Sequence, residues 1–512
     1  MTSLPSSDAL ALPPEGTPVL ATARPDPSLL GARVRSGLAW KVASQGTTQV
    51  TRVATTLILA HLLAPSDFGL AGMVLVFGGL IQLFADVGFS ASLIQFKTVS
   101  EEDCSTAFWT GLLIATALFG ASVAAAPAVA GFYHTPQLRW MFVAVASGFV
   151  TEALIVTQSS LLWRRMEFRA MEIRVILATV VSTAVGVCSA LAGLGAWSLI
   201  LQGNAFAVTS AVTIWTLSPW KPRFAYSRES LKRMLGFSTN VFFARFLTYG
   251  DRNADNLLVG RFLGSTALGI YGLGYSIILM PFGRLVQPLQ NVTIPALASL
   301  QDDLPRMRAV WLRSVRTTAW MLFPLLAGVI VVCPDFVPVV LGHRWVAAVP
   351  VMRILAWVAL IQSICAFSGA VYQSRSRAGL LLRMTAFAFG LDLAAFIVGL
   401  HWGVQGVAGA YALTNTVVIV PLTIFVVTRL LDASPRIVVA ELRGVVEATV
   451  MMAAAVLALR RLLELEGLGA GARLATVVAA GAIVYLLMSL WRERRVFREL
   501  RVWRFRPVTA AG

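Results

Sequence analysis

Two sets of polar residues lie at helical spacing inside long apolar segments, and each set contains arginine. The first set is Lys41, Gln45, Thr48 and Arg52, and the second is Arg245, Tyr249, Arg252 and Asn256. In both sets the steps are four, three and four residues, which places the members on one face of a helix. A charged residue at the centre of a bilayer costs about 2.5–3.5 kcal/mol and is retained where it faces water or another charge. The pattern predicts a central aqueous cavity with a cationic wall, to which Arg284 is a third contributor.

Other interpretations of these cations remain open. Lys41 lies near one end of its segment, where its side chain could reach the lipid headgroups instead. Arg252 has Asp251 beside it and Asp255 three residues on, a spacing at which a helical ion pair forms. Either role would be structural rather than functional.

Carboxylates inside apolar segments are candidates for coupling transport to a cation, because a buried carboxylate binds a proton or Na⁺. The candidates are Asp251, Asp255, Asp86, Glu152 and Asp392. Asp251 and Asp255 are four residues apart and share a helical face. Pairing with nearby arginines is the alternative for these two, and a structural cap is the alternative for Asp86.

Composition places the chain in the membrane. The 512 residues contain 13% charged residues, compared with about 25% in soluble domains, and the mean hydropathy is +0.76. No Asp, Glu, Lys or Arg occurs from Cys104 to Leu138, from Val175 to Trp220 or from Leu393 to Thr428. Lipid offers the backbone no hydrogen-bond partners, so such runs must be helical. The predicted fold is an all-α polytopic membrane protein.

The hydropathy pattern predicts fourteen spans. They lie near residues 37–62, 67–94, 105–130, 138–161, 172–193, 195–217, 234–260, 266–292, 314–334, 346–373, 379–400, 404–428, 440–461 and 472–490. The domain boundaries that follow are a disordered cytoplasmic tail (1–33), an N-lobe of six helices (34–217), a cytoplasmic linker (218–233), a C-lobe of six helices (234–430), two further helices (431–491) and a basic tail (492–512).

Arginine and lysine are distributed unequally between the two sides of these spans. With a cytoplasmic N-terminus, nearly every cytoplasmic segment is basic, and the C-terminal tail is too. The opposite side holds only Arg139, Arg261, Arg344, Arg353, Arg460, Arg461 and Arg473. The positive-inside rule therefore predicts that both termini are cytoplasmic. The formal charge of +17 follows this topology, which argues against a nucleic-acid partner and favours contact between the basic tail and anionic lipids.

An internal repeat relates the two predicted lobes. The segment from Leu62 to Gly72 resembles the segment from Phe262 to Gly272, and Arg52 and Arg252 are related by the same offset of 200 residues. Since each lobe has an even number of spans, the two copies start on the same side of the membrane. This predicts parallel repeats about a pseudo-two-fold axis along the membrane normal.

The sequence lacks the residue patterns that several kinds of site require. The four cysteines and four histidines are scattered without metal-ligand spacing, so neither a metal site nor a cofactor is expected. There is no GxxxxGK[ST] sequence for an intrinsic ATPase. The longest predicted outer loop, around Cys333–Trp345, is short for a sugar-transferring enzyme. No catalytic residues are assigned, and a non-enzyme is expected.

The assembled pattern resembles polysaccharide and O-antigen flippases of the multidrug/oligosaccharidyl-lipid/polysaccharide exporter superfamily, in their lipopolysaccharide and exopolysaccharide (colanic-acid-type) branch. The resemblance rests on the 6+6+2 spans and on four segments: 37–40 (GLAW), 62–70 (LLAPSDFGL), 84–95 (FADVGFSASLIQ) and 105–109 (STAFW).

The resemblance implies a two-lobed transporter that alternates between inward-open and outward-open states. It implies a polyprenyl-pyrophosphate-linked oligosaccharide as cargo, moved to the outer leaflet of a bacterial inner membrane, with coupling to Na⁺ or protons. Partners would be the lipid-linked oligosaccharide, membrane lipids, and the polymerase and glycosyltransferases of a polysaccharide pathway. Arg52, Arg245, Arg252 and Arg284 are then the expected contacts of the diphosphate or of an acidic sugar.

Three other functions are compatible with parts of the pattern. A drug/cation antiporter of the same superfamily predicts an acidic cavity, whereas the polar faces here carry arginine. A lipid-linked peptidoglycan precursor flippase shares the fold and a cationic cavity. A polymerase or ligase of surface sugars requires a large outer loop, which the predicted topology lacks.

Overall fold

The computed structural model describes residues 27–86, 92–94, 96, 99–375 and 377–492. Only the backbone is described for residues 27–44, 80–86, 233, 235–248, 251–252, 279–281 and 378. Across the described ranges the secondary structure is helical and contains no β-strand. The prediction of an all-α fold is confirmed for this part of the chain.

The described helices follow one another with short connections. The first seven are α1 Pro27–Leu62, α2 Pro65–Asp86, α3 Glu101–Phe132, α4 Leu138–Ala146, α5 Gly148–Arg164, α6 Phe168–Leu191 and α7 Trp197–Leu217. The rest are α8 Arg228–Ala298, α9 Leu304–Phe336, α10 Ala348–Gln362, α11 Ser368–Ser374, α12 Ala378–Gly399, α13 Gly403–Thr414, α14 Val420–Leu430, α15 Arg436–Leu465 and α16 Ala470–Arg492.

The described helices overlap the predicted spans. Within the described residues, ten stretches are long and apolar enough to cross a membrane, and one of them, Gly379–Leu430, contains two predicted spans. The seventh and eighth predicted spans both lie in α8, on either side of Gly264. Gly264 has a φ of 86°, a conformation that glycine adopts without the steric cost of a side chain. The chain is therefore a multi-pass membrane protein.

Side-chain hydrogen bonds define where two of the long helices begin. The Ser100 hydroxyl accepts from the backbone N–H of Asp103 at 3.0 Å, and the Asp103 carboxylate accepts from the N–H of Ser100 at 2.9 Å. This reciprocal cap satisfies N–H groups that have no partner within the first turn of α3. Asp303 caps α9 in a similar way, by accepting from the N–H of Arg306 at 3.0 Å.

The chain forms two compact units. Among the described residues, unit 1 contains those up to Leu63 together with Met73–Asn253, and unit 2 contains Ala64–Gly72 and the residues from Ala254 onward. Unit 2 thus includes residues Ala64–Gly72 of the first copy of the repeated segment as well as the whole second copy.

Each unit has its own apolar core. In unit 1, Phe108, Leu161 and Trp220 are buried together. In unit 2, Trp311 and Phe367 belong to one cluster of buried side chains. A separate cluster in unit 2 joins α9 to α15 and α16 through residues that are fully or nearly fully buried: Val332, Ala448, Met452, Val456, Val477 and Tyr485.

Candidate functional site

Arg52 projects from α1 with an exposed side chain. Its guanidinium lies over the Phe206 ring of α7, 5.6 Å from the centroid, which is within the range of a cation–π interaction. One turn further along α1, the Thr55 hydroxyl lies 3.0 Å from the Thr183 hydroxyl of α6. Arg52 is therefore positioned by the neighbouring helices of unit 1, and its side chain is exposed.

The predicted polar face of α1 is only partly accessible. Gln45 and Arg52 are exposed, whereas Thr48 between them is buried with 8% exposure. Arg284, in the second half of α8, is also exposed. The side chain of Lys41 lies outside the described residues.

Tyr249, a member of the second polar set, contacts α2. Its hydroxyl donates to the carbonyl oxygen of Val76. Its ring occupies the space beside Gly79, where a Cβ atom would collide with it. Asn253, one turn on, donates its side-chain amide to the Tyr249 carbonyl at 2.9 Å. Tyr249 thus connects the start of α8 to α2 within unit 1.

The side chains of Arg245, Asp251 and Arg252 lie outside the described residues, although their backbone is part of α8. The same holds for Asp86 at the end of α2. Their predicted roles in cargo or ion binding stay predictions.

Asp255 is buried in unit 2, with 3% exposure. One carboxylate oxygen accepts from the Tyr271 hydroxyl at 2.8 Å, and the other accepts from the backbone N–H of Asn256 at 2.7 Å. Asn256 itself is half-buried. Asp255 therefore lies in a buried polar environment that includes a neutral hydrogen-bond donor.

A second buried carboxylate, Asp392, lies in the same unit with 9% exposure. The Asn415 amide donates to it at 3.1 Å, and Gln362 donates to the oxygen of that amide at 2.8 Å. Gln362 also donates to the Tyr411 hydroxyl at 2.8 Å. Asn415 begins a short π-helical turn, Asn415–Ile419, that interrupts the α-helical path between α13 and α14.

Tyrosines lie near both carboxylates. Tyr411 is within electrostatic range of Asp255, Asp392 and Tyr275, and Tyr275 stacks on Tyr271 with ring centroids 6.0 Å apart. Together these residues form a polar cluster inside unit 2, here called the Asp255–Asp392 network: Asp255, Tyr271, Tyr275, Gln362, Asp392, Tyr411 and Asn415. Sequence reasoning named two of these residues, Asp255 and Asp392, as coupling-ion candidates. The other members could have been found as polar side chains inside apolar segments that contain no charged residue.

Glu152, the remaining predicted coupling residue, is half-buried on α5 and interacts electrostatically with Arg174 of α6. No group of three or more His, Cys, Asp or Glu residues within the described ranges is arranged to hold a metal ion. Asp255 and Asp392 are thus two buried carboxylates of unit 2 that accept hydrogen bonds from hydroxyl and amide groups.

Known proteins are similar to this chain in sequence and in fold. Residues 58–350 match the model of a family described as "Polysaccharide biosynthesis protein". The chain is 26% identical over 473 residues to the teichuronic acid biosynthesis protein TuaB of Bacillus subtilis, covering 89% of this chain and 95% of that protein. It is 24% identical over 490 residues to the succinoglycan biosynthesis transport protein ExoT of Rhizobium meliloti, covering 93% and 96%.

Among solved structures, the inward closed conformation of the lipid II flippase MurJ superposes with a TM-score of 0.73. The match covers 90% of this chain and 100% of that one at 12% sequence identity. At that level of sequence identity, the similarity is one of fold.

Proposed function

Because the chain belongs to the polysaccharide biosynthesis protein family, we propose that it is a flippase that carries a polyprenyl-pyrophosphate-linked oligosaccharide from the cytoplasmic to the outer leaflet by alternating access. The observation that carries this proposal is the family match over residues 58–350. The near full-length similarity to a protein named for succinoglycan transport supports it. The product would feed the assembly of a lipopolysaccharide, capsule or exopolysaccharide.

The physical problem for such a protein is to move a polar cargo through hydrocarbon. Each sugar hydroxyl costs several kcal/mol to bury without a hydrogen-bond partner, and the diphosphate adds negative charge. Guanidinium groups bind phosphate oxygens bidentately. A wet, cationic path therefore lowers both costs, while the polyprenyl tail stays in the bilayer.

The proposed contacts for the cargo are the cations and polar residues of the two helical sets and α8: Arg52, Arg245, Arg252, Arg284, Lys41, Gln45, Tyr249 and Asn256. The exposed guanidinium of Arg52 supports this assignment. Its guanidinium lies over the Phe206 ring at 5.6 Å from the centroid, and a guanidinium carries several N–H donors in its plane. Tyr249 already donates to Val76, so its contribution would come from its ring and its accepting lone pair.

Coupling to a Na⁺ or proton gradient is proposed to act through Asp255, within the Asp255–Asp392 network. A buried carboxylate changes its surroundings strongly when it gains a cation, because the interior screens charge weakly. The hydrogen bond from Tyr271 supports this role, since it gives the ionised carboxylate a neutral partner. Asp251, Asp86 and Glu152 are further candidates for the same step.

The protein is proposed to lie in the bacterial inner membrane with both termini in the cytoplasm. The polymerase and glycosyltransferases of one polysaccharide pathway would be its functional partners, and the chain itself would carry out no bond chemistry. Reporter fusions at each terminus, which fluoresce only in the cytoplasm, test the topology.

Deletion of the gene, followed by analysis of lipid-linked intermediates, tests the function. The proposal predicts accumulation of the intermediate on the cytoplasmic side and loss of one surface polysaccharide, both reversed by the intact gene. An unchanged polysaccharide without accumulation would overturn it.

Two related functions predict other phenotypes. A peptidoglycan precursor flippase would restore wall growth to a strain depleted of its own lipid II flippase. A drug antiporter would raise resistance to cationic compounds upon expression. The arginines on the predicted polar faces argue against the antiporter, because its cargo is a cation.

A further inference from the structure

The segment 105–109 (STAFW), one of the four on which the family resemblance rests, takes no part in the cargo or coupling sites proposed above. It lies near the start of α3, and its first four residues are buried. The chain that connects α7 to α8, residues 218–227, forms neither helix nor strand and lies against this segment. Both segments belong to unit 1. Residues 218–227 are here called the strap.

Two hydroxyl groups of α3 bind the backbone of the strap. The Ser105 hydroxyl accepts from the backbone N–H of Arg223 at 3.2 Å. The Thr106 hydroxyl accepts from the backbone N–H of Ser227 at 3.0 Å. Both hydroxyl-bearing residues are fully buried. Because the strap has no regular secondary structure, its N–H groups need partners of this kind from elsewhere in the protein.

Aromatic residues join the same two segments. The Trp109 indole N–H donates to the carbonyl oxygen of Arg223 at 2.8 Å. The Trp109 ring stacks on that of Phe224, with ring centroids 4.9 Å apart. Phe108 lies edge-on to Trp220 at 6.1 Å, and Trp220 is 6% exposed within an apolar cluster of unit 1. Four of the five STAFW residues therefore contact the strap.

Other polar groups of unit 1 add to the attachment. The Gln158 amide of α5 donates to the Trp220 carbonyl at 3.2 Å. The Arg223 guanidinium lies 2.7 Å from the Glu101 carboxylate at the start of α3. Because that arginine side chain is 68% exposed, the ion pair adds little. The buried hydroxyls and aromatic rings therefore carry most of the attachment.

The attachment extends to the first turn of α8. Ser227 immediately precedes that helix, and its hydroxyl accepts from the backbone N–H of Ser230 at 3.3 Å, as an N-cap residue does. The N–H of Ser227 itself donates to Thr106. The residue at which α8 begins is therefore also bound to α3.

We propose that segment 105–109 is a docking site for the strap and keeps it attached to unit 1 throughout the transport cycle. Release would expose Trp220 to water and separate the buried hydroxyls of Ser105 and Thr106 from their donors, and both changes cost free energy. Movement between the two halves of the transporter would then begin only beyond Ser227. The statement about movement rests on the proposed function, whereas the docking does not.

Hydrogen–deuterium exchange of the full-length protein in detergent, read by mass spectrometry of peptides that cover the strap, tests the docking. We expect the strap amides to be protected. Thr106→Val keeps the size of the side chain but removes the acceptor for Ser227, so that amide should exchange about fivefold faster, the effect of losing one hydrogen bond. Ser105→Ala should have the same effect on Arg223. Thr106→Ser keeps the hydroxyl and should retain the protection.

Thr110→Val is the matched control. Thr110 lies one turn beyond Thr106 on α3, and its enclosed hydroxyl makes no hydrogen bond within the part of the chain that the structure describes. Its removal should leave exchange of the strap unchanged. If a hydroxyl variant aggregates, Trp109→Phe gives the same test, because it keeps an aromatic ring but removes the indole donor. Exchange in the hydroxyl variants no faster than in Thr110→Val would overturn the docking site.

A cross-link tests whether the strap stays attached while the protein works. Glu101→Cys combined with Arg223→Cys places two thiols where the ion pair lies, and a short bifunctional thiol reagent joins them in membranes. We expect the cross-linked protein to export as much polysaccharide as the untreated double variant, because the strap does not need to move. Each single-cysteine variant, treated with the same reagent, controls for reaction at the exposed native Cys188.

Loss of export upon cross-linking, with export intact in the treated single-cysteine variants, would show that the strap detaches during transport and would overturn its role as a permanent attachment. Absence of polysaccharide export by the intact protein would instead overturn the proposed function. In that case the exchange measurements would still decide whether segment 105–109 binds the strap.

Discussion

Gly69 lies so close to Ser265 that a Cβ atom on the glycine would overlap the serine's carbonyl oxygen. Gly269 stands in the same relation to the carbonyl oxygen of Pro65. Positions 65 and 265, and positions 69 and 269, are equivalent in the internal repeat. The contact is therefore reciprocal, as at an isologous interface, where residue i meets j and j meets i. The two copies of the repeat touch each other through their equivalent glycines.

This crossing predicts that Gly69→Ala and Gly269→Ala each destabilise the protein. The added methyl group meets backbone, which has no rotamer to change, so we expect a loss of about 1–3 kcal/mol in the free energy of unfolding. Thermal unfolding in detergent measures it. Gly272→Ala is the matched control one turn away, because nothing lies near its Cβ position. Equal stability of Gly269→Ala and Gly272→Ala would contradict the close approach.

Arg52→Ala should lower export of the lipid-linked oligosaccharide about tenfold without lowering the amount of protein in the membrane. The estimate takes the roughly 1.5–3 kcal/mol of a hydrogen bond to a charged group. Arg52→Lys should retain part of the activity. The same expectation holds for Arg252→Ala. Surface polysaccharide and membrane-fraction immunoblots provide the two readouts.

Arg139→Ala is the control for Arg52→Ala. Arg139 is also an exposed arginine of unit 1 that lies over an aromatic ring, 5.3 Å from the Trp140 centroid. If both variants lose export equally, or if Arg52→Ala loses membrane insertion in parallel, the role of Arg52 is structural.

Asp255→Asn should uncouple transport from the driving cation. The amide keeps the size of the side chain and an accepting oxygen for Tyr271 but removes the charge that binds Na⁺ or a proton. We expect flipping in proteoliposomes to lose its response to an imposed Na⁺ or pH gradient, with residual downhill movement retained. Tyr271→Phe should weaken the response less, because the carboxylate remains.

Asp103→Asn provides the comparison for Asp255→Asn. Asp103 is an equally buried carboxylate, with 4% exposure, whose role is to cap α3. If Asp255→Asn responded to the gradient as strongly as Asp103→Asn does, Asp255 would be excluded as the coupling residue.

The effects of Gly79→Ala and Tyr249→Phe on the free energy of unfolding should be non-additive in a double-mutant cycle. Gly79→Ala displaces the tyrosine ring, and Tyr249→Phe removes the hydroxyl that donates to Val76. Each change should cost about 0.5–1.5 kcal/mol, the net value of a hydrogen bond. The double variant should cost less than the sum, because both changes disrupt the same contact. Gly46→Ala should leave the stability unchanged, because nothing lies near its Cβ position. If the losses caused by Gly79→Ala and Tyr249→Phe were additive, the two residues would not share one contact.

Hydropathy was sufficient to predict the helices because a bilayer leaves the backbone no alternative to helical hydrogen bonding. The predicted boundary between spans seven and eight, for example, falls at Gly264, where the backbone leaves the helical conformation. The polar face of α1 was less accurately predicted. Arg52 is exposed and Thr48 is buried, because helical periodicity does not specify which neighbour covers a given face, and the role of Arg52 in a cavity stays a prediction.

The sequence alone determined the membrane class, the order of the spans and the repeat at 200 residues, since run length and spacing are local properties of the chain. Only the tertiary structure decided which distant residues meet. It brought Asp335 to Arg460 and Arg473, and it placed Tyr271 on Asp255. In lipid, apolar surface is solvated equally well everywhere, so close packing and a few polar contacts select the partners of each helix. Those contacts join residues remote in sequence, and hydropathy carries no record of them.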